Sequence, residues 1–155
     1  MSTPANNPDG PIAVVRALWD ALSARDWAGV ASRVGDDAIY YDVPVGPQSA
    51  AMGPAGIVAR LRLGLEALAA YENTEHRIAT TGDVVMVEHS EVWTWPTGES
   101  VTLPFVTVHR VVEGKVTLWK DYWDYGTLLG GAPPGWQESL LEGDLSWVFD
   151  ATGLA

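Results

Sequence analysis

The chain has 155 residues, 47% hydrophobic and 19% charged, which is enough apolar material for one domain with a proper core and excludes a disordered sequence. Nine basic against twenty acidic residues leave a formal charge of −11, which opposes nucleic acid and anionic membranes and suits a neutral or cationic small molecule. With no cysteine, a disulfide scaffold, a zinc–thiolate site and a cysteine nucleophile are excluded.

The first residues, MSTPANNPDGP, have neither a basic region nor an apolar run of the kind that marks a signal peptide, and no stretch approaches a membrane span; LRLGLEALAA (61–70) comes nearest and carries charges. A cytoplasmic protein is expected. Residues 1–10 read as a flexible tail in which Asp9 can cap a helix that has Pro11 in its first turn. Ile12, Val15, Leu18, Trp19 and Leu22 then follow at helical spacing. A second short helix starts near Asp26, carries Trp27, Val30 and Val34, and ends at Gly35. Ala38–Val43 reads as a short strand broken by Pro44, Gly46 and Pro47. Pro54–Ala70 is expected to be the longest helix, with Ile57, Leu61, Leu65 and Leu68 on one face.

The period then changes. Strands are expected at 71–80, 84–95, 101–112 and 116–124, with PTGES (96–100) and Glu113-Gly114-Lys115 as the turns between the last three. The remainder is broken by Gly and Pro and carries Trp136, Leu140, Leu141, Leu145, Trp147 and Val148, which suits a short helix or two over an apolar surface. Helices first and a long antiparallel meander after them predict an α+β fold: helices wrapped against a curved sheet, as a cone around an apolar pocket.

Side chains alternate along a strand, so each strand has one inward set. On 84–95, His89 and Glu91 share a face with Val85, Val87, Trp93 and Trp95. Asp121 shares one with Thr117, Trp119 and Trp123; Tyr40 shares one with Asp42; and Leu103 and Phe105 share one with Thr107 and His109. If these faces all look inward, a cavity walled by Trp93, Leu103, Phe105, Trp119 and Trp123 holds Tyr40, Asp42, His89, Glu91 and Asp121. Buried charges cost several kcal/mol each unless paired, so stability alone is a poor reason to collect them. Blander readings exist for each: His89 as a satisfied core histidine, Glu91 on a solvent face, and Tyr40 with Asp42 as an ordinary strand end. A metal held by His89, Glu91 and Asp121 lacks a second histidine and convincing ligand spacing, and no metal is expected. His76 and His109 read as structural or exposed.

Three stretches carry a family resemblance. DDAIYYDVP (36–44), VEHSEVW (87–93) and above all EGKVTLWKDYWD (113–124) resemble the SnoaL-like, nuclear-transport-factor-2-like (NTF2-like) superfamily, and within it most resemble the limonene-1,2-epoxide hydrolases. The resemblance spans residues 11–129 and leaves 130–155 as a C-terminal extension packed on the domain. It implies cofactor-independent hydration of an epoxide on a small apolar, terpene-like or cyclic substrate. In that scheme Asp121 is the general base, Tyr40 and Asp42 hold the water, Glu91 is the general acid and His89 takes the bridging place of an arginine. Asp42 stands where the family has Asn, His89 where it has Arg, and Glu91 where it has Asp. A histidine neither stays charged nor forks between two carboxylates as arginine does. The same groups would suit an isomerase, cyclase or dehydratase acting on a polyketide, terpenoid or steroid-like intermediate, so fold alone does not fix the reaction. A homodimer is expected, because the outer parity carries Val84, Met86, Val92, Val106 and Val108 in a mixed surface that could pair with another copy.

Overall fold

The computed structural model describes residues 10–154. Helix α1 (Pro11–Ser23) starts at Gly10, which makes no side-chain cap, and Pro11 occupies the first turn as expected; Asp9 lies outside the described residues. Its apolar stripe of Val15, Leu18, Trp19 and Leu22 is buried against the sheet. Helix α2 (Trp27–Arg33) is capped by the Asp26 side chain, which accepts from the Gly29 backbone N–H at 2.9 Å.

Strand β1 (Val34–Asp42) begins sooner than the sequence suggests. Val34 and Gly35 were expected to finish the second helix, but Val34 pairs with Val116 of β6 (Lys115–Trp123) and is claimed by the sheet. Strand β2 (Ala50–Met52) and strand β7 (Val148–Phe149), both too short to show a period, extend the sheet beyond β1. Helix α3 (Gly53–Leu65) stops short of the expected Ala70. The Ala69 N–H already bonds Thr94 O at 2.8 Å, and Arg25 Nη1 donates to Leu68 O at 3.0 Å, so pairing with the next strand overrides helical propensity there. The helix starts at Gly53 because φ is +71° and a Cβ would lie 2.7 Å from Asp36 O, a place only glycine fills without displacement.

Strands β3 (Ala70–Thr81), β4 (Val84–Thr94) and β5 (Ser100–Val112) complete an open seven-stranded sheet of order β3-β4-β5-β6-β1-β2-β7. All neighbours are antiparallel except β1 and β6, which run parallel. This is the α+β, NTF2-like arrangement expected: a curved sheet with helices on its inner side. The expected alternation holds on β5, where Val101, Leu103, Phe105, Thr107, His109 and Val111 are buried and the residues between them are not. Helices α4 (Tyr125–Gly131) and α5 (Trp136–Leu141) follow β6. Among the described residues no helix is long and apolar enough to cross a membrane.

Candidate active site

The parallel pairing of β1 and β6 builds the site. It sets Tyr40 beside Trp119 and Asp42 beside Asp121, with all four side chains buried. The Tyr40 hydroxyl lies 3.2 Å from Asp42 Oδ1 and 3.2 Å from Asp121 Oδ2, and its single proton can serve only one of them at a time. Trp119 Nε1 donates to Asp121 Oδ1 at 2.6 Å, and Trp123 Nε1 donates to Asp42 Oδ1 at 2.9 Å. Glu91 comes from β4, two strands away across β5. Its carboxyl accepts from the Tyr71 hydroxyl and, at 2.7 Å, from Trp93 Nε1.

Tyr40, Asp42, Glu91 and Asp121 face one cavity of about 840 Å³, its open mouth included. The walls expected from the sequence, Trp93, Leu103, Phe105, Trp119 and Trp123, all line it. Helices α4 and α5 add Leu128, Trp136 and Leu140. Its lining, mostly aromatic and aliphatic with a few convergent polar groups, is that of a pocket for a small organic molecule.

Burial sets the proton inventory. It pushes Glu91 up to about 7, against the pull of the Tyr71 and Trp93 hydrogen bonds. It also raises Asp121 well above the usual aspartate range, helped by the charges of Asp42 and Glu91. Burial, reinforced by the neighbouring carboxylates, raises the Tyr40 and Tyr71 hydroxyls as well, so both remain donors. Burial thus biases both Glu91 and Asp121 towards the protonated form, and two such carboxyls facing one cavity offer an acid and a base when one of them holds a proton.

His89 is the correction. Strand parity puts it on the inward face, but it does not line the cavity. Its ring packs 3.6 Å from Phe105 and 4.4 Å from Trp19, centroid to centroid. Asn73 Nδ2 donates to its Nδ1 at 2.8 Å, which leaves the proton of the neutral ring on Nε2, where it has no hydrogen-bond partner. Burial lowers its pKa to about 3, so it carries no charge with which to bridge two carboxylates. His109 is likewise buried and pushed down to about 3, and it accepts from Trp19 Nε1 at 3.3 Å. Among the described residues no group of His, Cys, Asp and Glu side chains is placed to hold a metal.

The cation present is Arg60 of α3, which sequence reasoning missed; its Nη2 sits on Asp42 Oδ2. Arg60 lies three residues after Ile57 and four before Gly64, at the flank of the helix's buried stripe. Tyr71 and Asn73 were also missed. They lie on β3, whose weak alternation hid the inward set.

A model of the SnoaL-like domain matches residues 15–119. The chain belongs to the SnoaL-like family. It is 28% identical over 127 residues to epoxide hydrolase EphG of Mycobacterium tuberculosis (strain ATCC 25618 / H37Rv), a match covering 76% of this chain and 75% of that one. The solved structure of an M. tuberculosis LEH-like epoxide hydrolase superposes with TM-score 0.68 at 26% identity, over 86% of this chain and 96% of that one. TerC, co-crystallised with polyporic acid, shares the fold with TM-score 0.68 at 22% identity, over 81% and 98% of the two chains. Asp121 and Trp123 of this SnoaL-like protein lie just past the matched segment, and so do the two helices that add to the cavity wall.

The two buried histidines predict how this SnoaL-like protein responds to acid. Both are held near 3 against an ordinary 6.5, so the stability from keeping them neutral is full above about 6.5 and is lost as pH falls towards 3. Glu91 and Asp121, with raised values, act in the opposite sense, gaining stability as pH falls through the same window. Glu91, set at about 7, gains stability at about 1.4 kcal/mol per pH unit between about pH 7 and 4.5 and offsets part of the histidine loss there, and Asp121 acts in the same direction. The urea midpoint should therefore fall more steeply below about pH 4 than between pH 6 and 5. A midpoint that rises steadily as pH falls from 6.5 to 5 would show that the histidines are not held neutral, because the raised carboxyls would then act alone.

Proposed function

We propose that the protein adds water to an epoxide on a small apolar molecule, without a cofactor, by general acid–base catalysis. The observation that carries this reading is the Tyr40 hydroxyl 3.2 Å from both Asp42 and Asp121, with Glu91 facing the same cavity. A water held among Tyr40, Asp42 and Asp121 gives its proton to Asp121 as it attacks, and Glu91 protonates the oxygen released from the ring. The similarity to EphG supports the reaction class. The test is a panel of cyclic and terpene epoxides with products read by mass spectrometry. Diols support the reading, and unreacted epoxide across the panel counts against it. Because Glu91 must hold a proton and is set at about 7, turnover should fall as pH rises past about 7, and Glu91→Gln should remove most activity at every pH. A rate that keeps rising to pH 9 would take the acid role away from Glu91.

A second reading keeps the acid–base pair and consumes no water: an isomerase, cyclase or dehydratase. The neutral His89, withdrawn from the cavity, favours it, because the arginine bridge of the hydrolase scheme has no counterpart at that position. A product isomeric with its substrate would select this reading.

The expected homodimer forms, on this proposal, through the outer face of the sheet. There Met86 (47% exposed) lies beside Val108, and Val106 (38%) beside Tyr122 (44%), on adjacent strands. Sedimentation at micromolar concentration should give twice the chain mass; a monomer mass would refute it.

A further inference from the structure

Three carboxyl groups share the cavity, and among the described residues Arg60 is the one Lys or Arg side chain lining it. It does not stand between them. It comes from α3, and its Nη2 contacts Asp42 Oδ2 alone. The guanidinium lies 5.9 Å from the Tyr40 ring centre and 5.4 Å from that of Trp147, so the C-terminal segment walls it in place. Asp42 is thereby engaged at both oxygens, with one acceptor site left for a water: Arg60 takes Oδ2, while Trp123 Nε1 and the Tyr40 hydroxyl reach Oδ1. Asp121 and Glu91 have only neutral donors, from Trp119 and Tyr40 and from Tyr71 and Trp93 respectively. A nearby guanidinium favours the charged form of a carboxyl, whereas buried carboxyls with only neutral donors more readily hold a proton.

We propose that Arg60 is a positioning residue that cancels the charge of Asp42, so that Asp121, its neighbour across the β1–β6 pairing, can give up its proton and act as base. Without the guanidinium, the Asp42 charge would act uncompensated on Asp121 through a low-dielectric interior. The surroundings already push in that direction, since the Asp42 charge is the largest influence after burial in raising Asp121. The inference rests on the reading of Asp121 as the base, and its test does not depend on knowing the substrate.

The test is a carboxyl titration of the full chain by carbon-13 NMR with labelled aspartate, comparing wild type with Arg60→Gln, Asp42→Asn and the double variant. Arg60→Gln should raise the Asp121 midpoint by about 1–3 pH units, and Asp42→Asn, which keeps the cation, should lower it. Combining the two should return the midpoint to the wild-type value or below. On an accepted substrate, the acidic limb of the pH–rate profile should move up with Arg60→Gln by the same amount. An Asp121 midpoint unmoved in Arg60→Gln overturns the proposal; if that variant does not fold, an unmoved midpoint in Asp42→Asn does so. Should no epoxide react with the wild type, the hydrolase reading fails while the order of midpoints still decides the role of Arg60.

Discussion

Replacing Asp121 with Asn is expected to cut kcat/KM by at least about 10³-fold while leaving the fold intact. General acid–base groups contribute roughly 10²–10⁴-fold, and loss of the base leaves water with no proton acceptor of adequate strength. The fold should survive because an amide oxygen can keep the 2.6 Å bond from Trp119 Nε1 and the amide nitrogen can donate to the Tyr40 hydroxyl. Removing one of three crowded carboxyls also relieves repulsion, so the urea midpoint should stay the same or rise. Activity within tenfold of wild type would remove Asp121 from the mechanism.

Trp119→Ala has the largest expected effect on stability, a loss of about 3–5 kcal/mol. Trp119 is completely buried, and its ring centre lies 4.7 Å from that of Tyr40, 5.3 Å from Trp19 and 5.6 Å from His109. It therefore joins α1, β1 and β5 at one point. Its indole also holds Asp121, so the site should loosen together with the core. A urea series in which the variant loses less than about 1 kcal/mol would mean that its neighbours collapse into the space.

The sheet was legible where one face is buried and the other is not. Strand β5 alternates strictly, β4 does so as far as Glu91 and β6 from Trp119 to Asp121, and Glu91, Leu103, Phe105, Trp119 and Asp121 could be placed on one side from parity alone. Strand β3 lies at the sheet's edge with most of its residues exposed, so Tyr71 gave no signal. Strands β2 and β7 have three and two residues, too few to repeat an alternation. Parity assigns a face and not a depth, and His89 sits two residues along β4 from Glu91, opposite Phe105 and under Trp19. Arg60 was hidden for another reason. Ile57, Leu61 and Leu65 already made a complete helical stripe, and that the helix passes over Asp42 is a long-range fact that no local pattern carries.

Direct attack of water, with no ester between substrate and protein, is the central claim. A single-turnover reaction in oxygen-18 water, with enzyme in excess over an accepted epoxide, tests it most directly. The label is predicted in the diol, with none in the peptides that contain Asp42, Glu91 or Asp121. Unlabelled diol, with oxygen-18 appearing in one of those carboxyl groups, would mean that the carboxylate attacks first, and it would contradict the general-base account.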